Sequence, residues 1–168
     1  LRSVGWLDDD QIASEMQPDG SVIAPITVLA SASHQGLANL AIDTDGIARS
    51  VRLNRNGLLF LAAQVTRTSG APVPAAATSF RINYLGPAGT VPAYSFIDLL
   101  NGDVPAAALA EHLVFIGATA RDLQDYQNTP FGLMSGVEIQ ATIAANILAD
   151  DFLRSASSVT PDAKAKMH

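Results

Sequence analysis

Residues 113–150 read LVFIGATARDLQDYQNTPFGLMSGVEIQATIAANILAD, and this stretch decides the fold. It opens on an unbroken apolar run, Leu113-Val114-Phe115-Ile116, stopped by Gly117. A short apolar run bounded by turn residues suits a strand buried on both faces, although periodicity alone does not separate it from a helix segment. A polar loop follows, then Thr129-Pro130, then Gly136 opening a long apolar helix, Val137 to Leu153. The reading is an α/β fold with a mostly parallel or mixed sheet, Leu113–Ile116 as its buried central strand and helices packed on it. In open α/β sheets ligands sit in the crevice beyond the carboxyl ends of the strands, so Gly117 to Asp125 is where a site is expected.

Working outward, Asp10 to Met16 reads as a short acidic-led helix ended by Pro18-Asp19-Gly20. Ile26 to Ala32 fits helix or strand. Ala38 to Ile42 and Ile47 to Leu53 form a predicted hairpin about Asp43-Thr44-Asp45-Gly46. Asn56-Gly57 turns the chain into a predicted helix, Leu58 to Ser69, apolar nearly all round. Phe80, Ile82 and Tyr84 alternate with Arg81 and Asn83, the pattern of a half-buried strand. Ser95-Phe96-Ile97-Asp98 resembles a capping box that starts a helix ended by Gly102. On the last helix, Glu138, Thr142 and Asn146 form a polar seam within a broad apolar surface.

Composition narrows the function. A chain of 168 residues, 48% apolar and 15% charged, can bury one substantial core. No apolar run approaches the ~18–20 residues that span a bilayer. The absence of cysteine excludes disulfides, thiolate metal sites and cysteine nucleophiles. A net charge of −6 argues against nucleic acid as a partner. Both lysines, Lys164 and Lys166, fall near the end, so 154–168 reads as a polar tail or linker after a domain over 1–153. With no initiator Met and no signal-peptide pattern, the chain is expected to be part of a longer protein.

Four blocks carry a resemblance: Val114-x-Ile116-Gly117-Ala118-Thr119-Ala120, Leu123-x-Asp125, Thr129-Pro130, and Gly136-Val137-Glu138-Ile139-x-Ala141. Gly36-x-x-Asn39, Asp43-x-Asp45-Gly46-x-x-Arg49 and, more faintly, Asp10-Gln11-Ile12-Ala13 extend it upstream. In order and spacing the chain resembles the second (type-two) family of CHASE domains, extracytoplasmic sensors attached to cyclases and histidine kinases. Asp122 stands where that family usually has Gly, and Gln140 where it usually has His. The resemblance implies a non-enzymatic, periplasmic or extracellular sensing module of a bacterial membrane receptor. It further implies membrane helices on either side, a cyclase or kinase output, and a partial domain lacking its front strand–helix–strand unit.

Asp43-Thr44-Asp45-Gly46 starts like a calcium loop, but Asn54 occupies the position that needs a bidentate carboxylate, so a hairpin turn is the better reading. Gly117-Ala118-Thr119 lacks the G-x-G-x-x-G and P-loop patterns, which favours close backbone packing at Gly117 over a phosphate cradle. No G-x-S-x-G or H-E-x-x-H is present, and His34, His112 and His168 have no matched acidic partners. A carboxylate-based hydrolase is therefore a remote third reading. Arg49 shares the alternating apolar face of Ile47, Val51 and Leu53, so it should be largely buried and paired inside the chain, where Asp43, Asp45, Asp125 and Glu138 are available and Asp125 or Glu138 is the expected partner. Asp125 and Thr129 are expected to hold the loop by bonding backbone amides.

The candidate ligand-binding set is Gly117, Ala118, Thr119, Asp122, Asp125, Glu138 and Arg49, with Thr129, Pro130 and Gly136 structural. No metal site and no cofactor is expected. The leading function is a sensor for an unidentified small-molecule or ionic ligand, acting as a homodimer. The alternative is a structural or dimerising module without a ligand, supported by the two broadly apolar helices, of which Val137 to Leu153 is the better candidate for self-association.

Overall fold

The computed structural model describes residues 11–24, 26–31, 33–74, 79–123 and 125–153. The expected tail, 154–168, lies outside the described residues, as does Asp10. The chain enters not as a helix but as a strand, β1 (Gln11–Met16). Beyond the Pro18-Asp19-Gly20 turn, β2 (Val22–Ile23) folds back antiparallel on β1. One helical turn, α1 (Thr27–Ser31), leads to β3 (His34–Leu37), which runs parallel to β1 from Gln11↔His34 to Ser14↔Leu37. Acidic residues near the start and a four-residue apolar spacing fit a helix locally, but the ladder to β3 overrides that weak preference. Asn39 prolongs the pairing beyond the ladder: its Oδ1 accepts from Met16 N (2.6 Å) and its Nδ2 donates to Met16 O (3.2 Å).

The hairpin of β4 (Ala41–Ile42) and β5 (Ala48–Arg52) forms where the sequence places it. Its register jumps, however: Ala41 pairs with Ser50 and Ile42 with Ala48, so Arg49 is an extra residue on β5. Such a bulge shifts the alternation by one residue and re-aims the side chain at the bulge. Ala48 is consequently buried on one side of it, and Val51 and Leu53 on the other. Next comes a second, tight hairpin, β6 (Asn54–Arg55) with β7 (Leu58–Leu59). Asn56 (φ 53°) and Gly57 (φ 86°) both adopt positive φ, as a two-residue hairpin turn requires. The helix expected from Leu58 therefore starts later, as α2 (Leu61–Thr68).

β8 (Ser79–Arg81) completes an antiparallel sheet of order β4-β5-β8. Helix α3 (Phe96–Asn101) ends at Gly102 (φ 82°) as expected, although Ser95 makes no side-chain cap. A 3₁₀ turn, 106–108, precedes the apolar run 113–116. That run pairs with no described strand, which corrects its expected place at the centre of a parallel sheet. Phe115 packs on the core, while Val114 (49% exposed) and Ile116 (74%) point away from it. An apolar run gives a strand buried on both faces only where a second layer covers it. Only one face of this run is covered. The sheets are small, and β1–β3 is their one parallel ladder among the described residues.

β9 (Tyr126–Thr129) and β10 (Gly132–Ser135) make an antiparallel hairpin leading directly into α4 (Gly136–Ala149). α4 stops earlier than expected, at Asp150 in the left-handed region (φ 49°), and Phe152 returns to the core against Phe80 with ring centroids 4.7 Å apart. The core is formed where α2 and α4 meet the inner face of the β5–β8 sheet, with Val51, Leu53, Phe60, Ile139, Ile143 and Ile147 nearly inaccessible to solvent.

Candidate functional site

Of the expected site, Gly117, Thr119, Asp125 and Glu138 lie around the amino end of α4 with Gly136, and their contacts are those of a joint. A side chain at Gly117 would meet Val137 Cβ at 2.6 Å, so this glycine allows the apolar run to lie directly on the helix start. A Cβ at Gly136 would meet the Asp125 carboxylate, but that is the end of an exposed side chain and can move aside, so this contact constrains less. Gly136 N–H donates to Asp125 O at 2.9 Å, and Tyr126 Oη donates to Thr119 O at 2.5 Å. A third close approach, a Cβ at Gly36 lying 2.6 Å from Leu61 Cα, brings β3 onto the start of α2.

Glu138, in the first turn of α4, accepts from the amides of Gly89 (2.8 Å) and Val91 (3.3 Å). Asn146, two turns further along, closes a pair of bonds with Asn83: its Oδ1 accepts from Asn83 N (2.9 Å) and its Nδ2 donates to Asn83 O (3.0 Å). Glu138 and Asn146, the two ends of the polar seam, are thus where the 83–91 segment docks, with Thr142 buried between them. With α2 on another side, α4 is covered inside the chain, and Leu148 is its one large apolar side chain that is exposed. The surplus of apolar circumference that pointed to self-association through this helix is absent. Gln140, where the family usually has His, is also structural: its Oε1 accepts from Ala62 N (3.1 Å), an amide in the first turn of α2 that has no helical partner.

Arg49 is paired within the chain as expected, but with Asp43 and Asp45 of the four available carboxylates and not with the favoured Asp125 or Glu138. Its guanidinium donates to Asp43 (2.9 Å) and, with both terminal nitrogens, to Asp45 (2.9 and 2.8 Å). The bulge explains this, because it swings Arg49 off the core-facing side and over its own turn, leaving the side chain 29% exposed. The bonds to Asp45 and Asp43 raise the Arg49 pKa, and the bond from Arg49 holds Asp45 below the usual carboxylate range. Behind the bulge, Tyr84 Oη donates to Ala48 O (2.8 Å), and burial pushes its pKa up to about 12, so it stays a donor at all ordinary pH.

Thr129 does bond the backbone, accepting from Phe131 N (3.2 Å) and donating to Gly132 O (2.8 Å), but it closes the β9–β10 turn, where Pro130 also sits, rather than the preceding loop. Asp125 contributes through its carbonyl; its carboxylate, like that of Asp122, makes no bond among the described residues. Ala118 is half-buried, and no group of three or more acidic or imidazole side chains that could hold a metal ion occurs among the described residues.

An open cavity lies elsewhere. A cleft of about 320 Å³ is lined by Leu37, Asn39, Leu40, Ala41, Arg52, Arg55, Phe60 and Ser79. Leu37 and Phe60 are buried and give it an apolar floor. Register places Ala41, Ser50, Arg52, Ser79 and Arg81 on one face of the β4-β5-β8 sheet, opposite the core-facing Val51 and Phe80. Neither Arg52 nor Arg55 has a hydrogen-bond or ion-pair partner among the described residues. Nothing in the hydrophobic pattern marks these two as more than solvated charges. Their spacing with Arg49, every third residue, was the available signal, and only the bulge and the second hairpin separate their fates.

No helix among the described residues is long and apolar enough to cross a membrane. No curated protein and no solved structure matches the chain. The CHASE2 domain model matches residues 2–165, and with the glycine joints and the Asp43–Arg49 turn in place the chain belongs to the CHASE2 family of extracytoplasmic sensor domains.

Proposed function

We propose that the chain is the signal-sensing module of a bacterial membrane receptor, joined to the membrane by flanking helices and relaying its state to a cyclase, histidine kinase or similar output. The match over residues 2–165 carries this reading. A stimulus can move such a receptor only through different affinities for two arrangements of the sensor. α4 suits the transmitting role, because one helix touches α2, the 83–91 loop and the close-packed glycine at 117. A homodimer is the proposed working unit, as closed symmetric pairs are the commonest assemblies. No catalytic role is assigned to any residue.

A second reading, a structural or dimerising module without a ligand, is favoured by one observation. Helix α3 buries none of its residues, and Phe96, Ile97 and Leu100 are 54%, 60% and 66% exposed. A thermal-shift panel of neutral, cationic and anionic metabolites and ions separates the two. A ligand that binds only the folded form adds ~2.7 kcal/mol at a hundredfold excess over Kd, an increase of several degrees in Tm. A compound that raises Tm in a saturable way supports the sensor; a flat panel together with a tight dimer would establish the structural module instead.

A further inference from the structure

We propose that the cleft between the β3–β4 connection, β6 and β8 binds a small organic anion, with its carboxylate on Arg52 and Arg55 and its apolar body on Leu40 and Ala41. This rests on the reading of the chain as a sensor and names the class of ligand. The first argument is charge. The chain holds 16 acidic against 10 basic side chains, so unpaired arginines are not for want of partners. Arg49 has taken two carboxylates, yet among the described residues Arg52 and Arg55 have none and no acidic side chain lines the cleft. Arg81 stands diagonal to Arg52 on the same sheet face and is likewise free of side-chain partners among the described residues. Cationic groups gathered without counter-charges raise the local concentration of anions.

The second argument is shape. The volume, about 320 Å³, is that of a small-molecule site. Its accessible apolar lining, Leu40 and Ala41 above the buried Leu37 and Phe60, offers nothing to a bare inorganic ion and suits a hydrocarbon body. Planar guanidinium forks match carboxylate oxygens in pairs. Ser79, directly opposite Arg52 in the ladder, adds a hydroxyl donor, whereas the Asn39 amide is already committed to Met16. The frame is fixed on both sides, by the β5–β8 ladder under Arg52 and by the tight β6–β7 hairpin carrying Arg55.

The test is isothermal titration of the folded chain at low salt with benzoate, its neutral isostere benzamide, succinate and inorganic phosphate. The expected result is that benzoate binds, benzamide does not, and Arg52→Gln with Arg55→Gln weakens benzoate by about tenfold or more, each charged hydrogen bond being worth ~1.5–3 kcal/mol. Arg81→Gln, on the same face but outside the cleft, should change affinity by about twofold or less at moderate salt. Inorganic phosphate binding as tightly as benzoate would overturn the organic part of the proposal. No binding by any anion to a chain that unfolds cooperatively would overturn the site altogether. If the thermal-shift panel then gives a neutral or cationic ligand whose effect survives the double substitution, the anion proposal has failed and the sensor reading has not.

Discussion

Replacing Asn146 with Ala should be among the most damaging changes available outside the apolar core. Its amide is 1% exposed and makes a reciprocal pair of bonds with the backbone of Asn83, at 2.9 and 3.0 Å, just where β8 has ended and the chain leaves the sheet. Removing it forfeits two bonds of ~0.5–1.5 kcal/mol each and strands a partly buried donor and acceptor, so the loss should total ~2–4 kcal/mol. For a chain of this length that corresponds to a fall in Tm of ~5–15 °C. Asn146→Leu fills the space but leaves the same backbone groups unpaired, and should be nearly as unstable. Asn128, on the exposed side of β9, is the control, and its replacement by Ala should stay within ~0.5 kcal/mol. Urea unfolding of the three variants supplies the values. A loss below ~0.5 kcal/mol for Asn146→Ala would show that the 83–91 segment does not depend on the helix seam.

The remaining expectations follow from the same contacts. Glu138→Ala should speed amide exchange at Gly89 and Val91 by ~5–30-fold, the equivalent of 1–2 kcal/mol, while leaving exchange in α2 unchanged. Gly36→Ala should cost ~1–3 kcal/mol by urea unfolding, because the new methyl meets the Leu61 backbone, which yields less readily than a side chain end. Asp45 has a pKa depressed below 3.8 in the folded state by Arg49, so its contribution is complete above that value and is lost as pH falls through the folded pKa. The Tm difference between the wild type and Arg49→Met should therefore be largest near neutrality and shrink below about pH 3.8; a constant difference would exclude the Asp45 pairing as its source.

Much of the frame was legible in the sequence because local chemistry dictated it. Asp43–Gly46 had to turn, Gly102 had to end a helix, and the Glu138–Thr142–Asn146 seam marked a helix face with polar work to do. What failed depended on pairing at a distance. Gln11–Met16 has a helical spacing but is captured by β3, whose paired residues lie 23 positions further along the chain. Leu113–Ile116 has the composition of a central strand, yet one face finds no covering layer among the described residues, and composition cannot report that. Arg49 was placed correctly as internally paired and wrongly as to partner, since a one-residue bulge leaves no mark in a hydrophobic pattern. The family blocks pointed to the start of α4, where their glycines serve close packing, while the open cleft is lined by Arg52 and Arg55, outside those blocks.

In the proposed receptor this domain faces outward from the cell membrane. The chain contains no cysteine, so a single introduced thiol reports its location cleanly. Asn101→Cys is placed on the exposed end of α3, with Ala62→Cys, fully buried, as the folding control. Both are made in the full-length receptor, with any cysteines elsewhere in it removed, and intact cells are treated with a membrane-impermeant maleimide. The expected result is labelling at position 101 without permeabilisation and none at position 62 until the protein is unfolded. Labelling at position 101 only after the membrane is opened would contradict an extracytoplasmic sensor.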